Sequence, residues 1–391
     1  MKILVIHNKY KQRGGEDAVV ENETGLLRAA GHEVFHLVVS NDSIIGLRAE
    51  FRAAVNTVYS FRSRSATDDV LGRCKPDIVH VHNFFPMLSP SIFYACKARN
   101  VPTIMTLHNF RLLCANGLLL RDGEPCEKCV TGGVGWGVIH KCYRSSRIGS
   151  AVVATMIAAH QRVGTWNEVV TRFIALTDFS RSRFARANFP VEKISVKPNF
   201  IHDPNLFSLA QDRNGVVFCG RLSKEKGVDV LLDAWKNIDA ELTVIGDGPM
   251  ANDLRSRNLA NVRFLGQIDP QSVHLALRSA RALVVPSLWY ENFPMVVVEA
   301  MAVGTPVIAS RLGALSEIVR NGETGLLFAP GNVADLTQIV QKALAPASLL
   351  PNLGRGARRF YERFLTPGEN LRMLEKVYTE ALDTSQIQSA T

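Results

Sequence analysis

The sequence predicts an α/β protein with two doubly wound domains, each built on a parallel β-sheet. Its 391 residues exceed what one ordinary hydrophobic core supports. Short apolar runs of strand length alternate with segments of helical periodicity, and the alternation begins twice, at residues 2–7 and at residues 215–219. We therefore expect an N-terminal domain over residues 1–200, a C-terminal domain over 201–365, and a helical tail over 366–391.

The N-terminal half opens with a strand, a glycine-bearing loop, a helix and a second strand, at residues 2–7, 8–17, 18–30 and 33–39. Gly14 and Gly15 lie in that loop, where the lack of a side chain lets backbone approach a ligand closely. Further strands are expected at residues 76–82, 101–107, 173–176 and 194–197. His82 and His108 come at the ends of the first two, at the sheet edge where ligands bind in open α/β folds.

Residues 44–64 have helical spacing, with apolar side chains on one face and four arginines around it: Arg48, Arg52, Arg62 and Arg64. Such a helix suits an anionic membrane surface, and it equally suits packing of its apolar face on the sheet. Residues 1–197 carry a net charge of +10 and the remainder −1, which favours an anionic partner of the N-terminal half. No helix-turn-helix, zinc-finger or RNA-binding signature accompanies this charge, so we expect no nucleic-acid partner.

A cysteine-rich insertion occupies residues 111–145, directly after His108. It contains a CxxC pair between two more distant cysteines, and the four are Cys114, Cys126, Cys129 and Cys142. This pattern predicts a structural zinc site holding together a loop that lacks its own core, with free thiols or disulfides as alternatives.

Composition and hydropathy indicate where in the cell the protein is expected. A hydrophobic content of 47% with 21% charged residues is ordinary for a globular enzyme. The sequence has no run of about 18 apolar residues that would predict a membrane span, and it opens as a strand and not as a signal sequence. We expect a cytoplasmic protein with peripheral contact on the inner face of the membrane.

The C-terminal half contains strands expected at residues 215–219, 242–245, 262–265, 282–285, 306–309 and 325–328. Arg221 follows the first of these and Lys226 stands at the start of the next helix, which provides a planar fork and a point charge for a diphosphate. Glu291 and Glu299 lie eight positions apart, across the start of a helix expected over residues 293–303 with Pro294 in its first turn. Two carboxylates beside free N–H groups at a helix start suit a sugar or ribose linked to phosphate.

The stretch from Glu291 to Glu299 resembles the E-x7-E signature of retaining nucleotide-sugar glycosyltransferases of family four. The segment from Gly220 to Gly227 is similar to the G-R-x4-K-G pattern of that family. The resemblance covers the C-terminal half well and the N-terminal half loosely. It implies the GT-B fold, two facing Rossmann-like domains, with the helical tail returning to the N-terminal one. This chain departs from the family at Asn292 and Pro294, where glycine is usual or frequent.

The resemblance also implies roles for individual residues. Arg221 and Lys226 would neutralise the leaving diphosphate, Glu299 would hold the ribose, and Glu291 would hold the sugar and stabilise charge on its ring. His108 would contact the donor sugar. The remaining donor-binding candidates are backbone positions near the phosphates, nucleotide or base: Gly14, Gly15, Gly246, Asp247, Gly248, Gln267, Ile268, Phe293, Met295 and Val296. The last three are candidates because Pro294 has no N–H to donate.

The function that this resemblance implies is retaining transfer of a hexose-type residue from a UDP- or GDP-sugar to a glycan or lipid-linked acceptor, in cell-surface polysaccharide assembly. No metal cofactor is expected in catalysis, because Arg221 and Lys226 would neutralise the diphosphate, and the absence of a DxD motif placed to hold a metal is consistent with this. The alternatives are a sugar-nucleotide-binding protein without transfer, a sugar-nucleotide epimerase and a soluble glucan synthase.

Overall fold

The computed structural model describes residues 1–9, 14–40, 56–207, 213–346 and 349–390. These residues form two compact units. The first unit comprises the described residues of Met1–Leu119, Cys126–Pro198 and Asn370–Thr391, and the second those of Leu120–Pro125 and Asn199–Glu369.

The first unit is built on a six-stranded parallel sheet in the order β2-β1-β3-β4-β7-β8. Its strands are β1 (Lys2–Lys9), β2 (Glu33–Ser40), β3 (Ile78–Asn83), β4 (Thr103–Leu107), β7 (Arg172–Ala175) and β8 (Ile194–Val196). Its helices are α1 (Gly15–Ala29), α2 (Phe61–Cys74), α3 (Ser91–Ala98), α4 (Lys128–Gly132), α5 (Gly135–Ile139), α6 (Arg147–Arg162) and α7 (Asp178–Arg186). The inner strands β1, β3 and β4 are almost fully buried, as parallel strands covered on both faces are, whereas the edge strand β2 has no fully buried residue.

A helix from the far end of the sequence completes the core of the first unit. It is the last helix of the chain, Pro367–Ala390. Its Leu374, Val377 and Tyr378 pack against strand residues that include Ile3 and Ile104. The Tyr378 hydroxyl is also 2.8 Å from Nδ1 of the buried His80. The two buried polar groups therefore form a hydrogen bond within this mainly apolar contact.

The second unit carries the second six-stranded parallel sheet, in the order β11-β10-β9-β12-β13-β14. Its strands are β9 (Val216–Cys219), β10 (Leu242–Ile245), β11 (Val262–Gly266), β12 (Ala282–Val285), β13 (Val307–Ser310) and β14 (Gly325–Phe328), and the hairpin β5 (Leu120–Arg121) and β6 (Glu124–Pro125) also belongs to this unit. Its helices are α8 (Val228–Trp235), α9 (Ala251–Ser256), α10 (Pro270–Ser279), α11 (Met295–Ala302), α12 (Leu315–Ile318), α13 (Val333–Leu344) and α14 (Leu350–Phe364); the terminal helix is α15. Alternate strand residues point to opposite faces, so Leu283 joins one core cluster and Val284 the other.

The strands predicted from the apolar runs are present, with ends shifted by one or two residues. The α/β class with two parallel-sheet domains is confirmed. Among the residues that the structure describes, no helix is both long and apolar enough to cross a bilayer.

The helix predicted over residues 44–64 is wrong in its C-terminal part, and residues 44–55 lie outside the described residues. Residues 56–58 are helical, the chain then leaves the helix, and α2 begins at Phe61. The reason is an N-cap: Ser60 has extended backbone, and its hydroxyl oxygen accepts a hydrogen bond from the Ser63 amide at 3.1 Å. Arg62 and Arg64 therefore lie on α2.

Candidate active site

The centre of the candidate site in the second unit is Glu291, in the loop that follows β12. It is only 4% exposed. Lys226 Nζ and the Ser287 hydroxyl both donate to Glu291 Oε1, each over 2.7 Å. A buried carboxylate needs such partners because its desolvation is otherwise uncompensated. Residues 65 positions apart in sequence are thus joined in one charged, hydrogen-bonded group at the carboxyl edge of the sheet.

The close packing of the Lys226 loop against the Glu291 loop requires a glycine at position 227. Gly227 has φ of +68°, and a Cβ atom there would lie 2.0 Å from the Pro286 carbonyl oxygen. The turn that carries Lys226 therefore packs directly on the backbone preceding Ser287, and the Leu288 amide donates to the Glu225 carbonyl over 2.8 Å. The close backbone contact fixes Lys226 beside Glu291.

A second close approach joins the loops after β9 and β10. Gly246 has φ of +127°, and a Cβ atom there would lie 2.0 Å from the Gly220 carbonyl oxygen. The Leu222 amide then donates to the Asp247 carbonyl over 3.0 Å. This contact brings the turn containing Gly248 next to the loop that carries Arg221.

Arg221 and Lys226 present cationic groups at this edge. Arg221 is exposed, and its guanidinium makes no hydrogen bond or ion pair with the residues that the structure describes. Lys226 Nζ also lies 5.4 Å from the centroid of the Trp289 ring. The indole Nε1 of Trp289 is buried and has no partner among the described residues, so a donor remains available here.

Glu299 lies on α11 and is partly buried. Burial raises its pKa to about 7, because the charged form loses solvation. The charges of both Glu299 and Lys226 affect the pKa of Cys219, at the end of β9. The pKa of this thiol is raised to about 12, mainly by burial and also by the Glu299 carboxylate, with Lys226 acting in the opposite direction. Glu299 and Lys226 are therefore neighbours of the same strand end.

The start of α11 differs from the prediction. Pro294 was expected in the first turn, but it is the N-cap, with extended backbone at φ −75° and ψ 109°, and its carbonyl accepts from the Val297 amide at 3.1 Å. Proline has the φ that either position requires, so its presence does not separate them. The amides of Met295 and Val296 are the first of the helix and have no intrahelical acceptor. Phe293 precedes the cap.

The remaining candidates of the second unit lie at the ends of neighbouring strands. Gly246, Asp247 and Gly248 follow β10, and the Asp247 carboxylate accepts from the Gly248 amide over 2.8 Å. Gln267 and Ile268 follow β11, with Gln267 exposed and Ile268 partly buried.

In the first unit, His108 and His82 form a hydrogen-bonded pair at the carboxyl edge of the sheet. His108 Nε2 is 3.0 Å from His82 Nδ1, and the two rings stack with centroids 5.3 Å apart. Burial is the main cause that holds both pKa values well below the ordinary value for histidine, with neighbouring cationic groups acting in the same direction. Both rings are therefore neutral at neutral pH.

A buried ion pair lies behind these histidines. Lys197 Nζ is 2.5 Å from Glu23 Oε1, with both side chains essentially unexposed, and His82 Nε2 is 3.6 Å from the other oxygen, Glu23 Oε2. Glu23, His80 and His82 place ligand-type atoms within 4.8 Å of one another. Lys197 already supplies the cation at this position, so we do not assign a metal to it.

Gly14 and Gly15 begin α1. Gly14 is the N-cap with φ of −120°, and its amide donates to Asp17 Oδ2 over 3.0 Å. The other oxygen of Asp17 is 2.8 Å from His7 Nε2. The Gly14 amide is therefore engaged within the protein, whereas a Cβ atom at Gly14 would meet nothing within 4 Å. A cavity of about 230 Å³ adjoins this corner, and charged groups of both signs line it: Lys9, Asp17, Glu21 and Arg28.

The cysteine-rich insertion brings part of the predicted zinc set together. A hydrogen bond from the Cys129 thiol lowers the pKa of Cys114 to about 6, and that bond raises the pKa of Cys129, with Cys142 raising it further. Zinc-bound sulfurs lie about 3.8 Å apart in a tetrahedral site. Within the described part of the chain, no three of the cysteine sulfurs lie within 4.8 Å of one another. Cysteine thiolates are suitable zinc ligands, but these sulfurs lie too far apart to bind one zinc ion together in this structure. Structural zinc bound by Cys114, Cys126, Cys129 and Cys142 therefore stays a prediction. Metal analysis of the purified protein tests it.

Two protein-family models match this chain. The model named Glycosyltransferase Family 4 matches residues 13–203, and the model named Glycosyl transferases group 1 matches residues 213–345. The chain belongs to the family-4 glycosyltransferases. The resemblance inferred from the sequence is thereby confirmed at the level of the family.

Individual relatives of this family-4 glycosyltransferase agree with that placement. A phosphatidyl-myo-inositol mannosyltransferase of Mycobacterium leprae is 33% identical over 244 residues, 58% of this chain and 64% of that protein. The chain thus spans less than two thirds of that relative. Sucrose-phosphate synthase from Thermosynechococcus elongatus has a TM-score of 0.70 at 19% identity, covering 100% of both chains. Anabaena HepE in complex with UDP-glucose has a TM-score of 0.67 at 16% identity, covering 97% of this chain and 100% of that one. At these identities the structures support the GT-B fold alone.

Four residues of this family-4 glycosyltransferase join the candidate sites although the sequence did not single them out: Glu23, Lys197, Ser287 and Trp289. Ser287 and Trp289 lie in the same short stretch as Glu291, so their position was a usable signal. Glu23 and Lys197 gave no such signal, because a helix Glu and a strand-end Lys are usually solvated.

Proposed function

We propose that the protein transfers a sugar from a nucleoside diphosphate sugar to a glycan or lipid-linked acceptor, with retention of anomeric configuration. The observation that carries this proposal is the group formed by Glu291, Lys226 and Ser287, with Arg221 exposed nearby. It combines cations for a diphosphate with a buried carboxylate that a sugar can approach. The solved relative HepE was crystallised with UDP-glucose, which supports a nucleotide-sugar donor.

Each residue has a physical role in this proposal. Arg221 and Lys226 neutralise the charge that develops on the diphosphate as the sugar–phosphate bond breaks, which lowers the barrier electrostatically. The amides of Met295 and Val296 add donors at the positive end of α11. Glu299 accepts hydrogen bonds from the ribose hydroxyls, and Glu291 stabilises positive charge on the sugar ring. The acceptor hydroxyl attacks on the face that the diphosphate leaves, and a phosphate oxygen takes its proton.

The histidine pair of the first unit suits recognition of a sugar hydroxyl. The buried Glu23 carboxylate favours a proton on His82 Nε2, so His82 Nδ1 accepts and His108 Nε2–H donates over 3.0 Å. His108 Nδ1 is then a lone-pair acceptor, and no described residue donates to it. His82 and Glu23 thereby act as positioning residues that set the tautomer of His108.

A thermal-shift screen tests the proposal first. UDP, GDP, ADP and their sugars are added to wild type and to Arg221→Ala, in EDTA and in magnesium. We expect one nucleotide to raise the melting temperature by several degrees without magnesium, and to do so much less in the variant. Stabilisation by none of them would contradict a nucleotide-sugar site. Binding without transfer to any glycan would indicate a binding protein, and epimer formation from donor alone would indicate an epimerase.

Nucleotide binding is expected to strengthen as the pH rises from 6 to 8. With a pKa of about 7, Glu299 is mostly protonated at the lower pH and mostly ionised at the higher one. Only the ionised carboxylate accepts from both ribose hydroxyls without presenting a donor. We expect the dissociation constant, measured by titration calorimetry, to fall up to about tenfold over this range. Glu299→Gln provides the control, because it retains the titration of the ligand's own phosphate; an equal pH dependence in both proteins would refute the role of Glu299.

A further inference from the structure

A group of exposed apolar side chains lies on the first unit, apart from the residues discussed above. Eleven large apolar side chains are exposed among the described residues. Three of them fall within thirteen positions: Trp136 (39% exposed), Ile139 (60%) and Ile148 (80%). Trp136 and Ile139 are three positions apart on α5, and Ile148 is in the first turn of α6, which packs against α5. We call these three residues the apolar cluster.

The apolar cluster is surrounded in sequence by cations and by no anion. Lys128, Lys141, Arg144 and Arg147 are all exposed, and residues 128–167 contain no Asp or Glu. The nearest carboxylate before this stretch is Glu127, which accepts from Arg183 and Arg186 over 2.6 and 2.9 Å and is neutralised by them. Counting lysine and arginine against aspartate and glutamate, residues 128–148 therefore carry a formal net charge of +4.

The tryptophan of the cluster is oriented by two neighbouring side chains. Lys128 Nζ lies 5.2 Å from the centroid of the Trp136 ring, and the His140 ring stacks on the Trp136 ring with centroids 5.8 Å apart and an interplanar angle of 15°. These two contacts orient the indole, while the Ile139 and Ile148 side chains are exposed beside it in the fold. Single exposed apolar side chains need no explanation, whereas several together with a charged rim mark an interaction surface.

We propose that the apolar cluster and its four cations dock the protein on an anionic phospholipid bilayer. Tryptophan and isoleucine beside lysine and arginine form the combination that enters the headgroup region, where long basic side chains reach phosphates while apolar ones lie deeper. A few anchors suffice for this, whereas a stable protein interface needs a larger contiguous apolar core. The inference goes beyond the sugar transfer proposed above and does not depend on it.

Vesicle sedimentation tests this docking. Wild type is mixed with vesicles of phosphatidylcholine alone or with about one third phosphatidylglycerol. Ile139→Ser/Ile148→Ser removes two apolar anchors, and Arg144→Gln/Arg147→Gln removes two charges. Matched controls are Val163→Ser, which is 60% exposed at the end of α6, and Arg263→Gln/Arg278→Gln, two exposed arginines of the second unit.

We expect wild type and both controls to sediment with the anionic vesicles and not with phosphatidylcholine. Each double variant should bind about tenfold more weakly or worse, and added salt should weaken wild-type binding. Melting temperatures within a degree or so of wild type would show that the variants remain folded. Equal binding by wild type and the isoleucine variant, equal binding to both lipids, or no binding to either would overturn the proposal. Retention on a polyglutamate resin without vesicle binding would instead indicate an acidic protein partner.

Discussion

Glu291→Gln is expected to lower kcat/KM by on the order of 100- to 1,000-fold while leaving nucleotide binding nearly unchanged. The amide keeps an oxygen that can accept from Lys226 and Ser287, so the loop should retain its geometry. The substitution removes the negative charge that would stabilise positive charge on the sugar ring in the transition state. The measurement is initial-rate kinetics with the donor identified by the thermal-shift screen.

The matched control for this substitution is Glu241→Gln. Glu241 is exposed and directly precedes β10, at the opposite edge of the same sheet from Glu291. It should leave kcat/KM within about twofold of wild type, as expected of an exposed side chain remote from the chemistry. Wild-type activity in Glu291→Gln would exclude the proposed role, and a loss of nucleotide stabilisation would show that Glu291 acts in binding and not in the chemical step.

Lys197→Met should lower the free energy of unfolding by about 3–5 kcal/mol. Lys197 and Glu23 are both essentially unexposed, and removing the cation leaves the carboxylate in a low-dielectric interior beside neutral His82. Asn370 also loses its 3.2 Å contact with Lys197 Nζ. Chemical denaturation followed by circular dichroism measures the change, provided that the transition of this two-unit protein is analysed with more than two states.

The double variant Glu23→Gln/Lys197→Met separates the charge effect from packing. It should recover much of the lost stability, because no unpaired charge remains buried. Lys236→Met serves as the exposed comparison: its ammonium also pairs with a carboxylate, Asp233 at 2.7 Å, but at a surface position where such pairs contribute at most about 1 kcal/mol. Equal losses at Lys197 and Lys236 would contradict the argument from burial.

The sequence was sufficient for those features that local pattern determines. Apolar runs of strand length marked the twelve strands of the two large sheets, since parallel strands in the interior of a sheet are covered on both faces and leave little choice of residue. The spacing from Arg221 to Lys226 and from Glu291 to Glu299 pointed to the carboxyl edge of the second sheet, where all four residues lie. Those features depend on residue type and short-range order.

Other features depend on contacts that no short window contains. Glu23 and Lys197 are 174 positions apart, and each alone has the pattern of a solvated residue. The break before α2 depends on the Ser60 hydroxyl, which caps the helix by accepting from the Ser63 amide. The helical spacing of apolar residues continues through Ser60 and gives no sign of this break. The direct contact of Lys226 with Glu291 depends on Gly227 meeting the Pro286 backbone, a requirement visible only once both loops are placed.

The position of α15 has a consequence for how the protein is made. A ribosome completes the sheet of the first unit early, yet Leu374, Val377 and Tyr378, which cover part of that sheet, are translated only after the whole second unit. Until then, Ile3 and Ile104 lack their final neighbours and His80 lacks its hydroxyl partner. The nascent first unit therefore lacks part of its apolar core throughout synthesis of the second, and a chain that stalls or is cut before α15 exposes those apolar residues to chaperones and proteases.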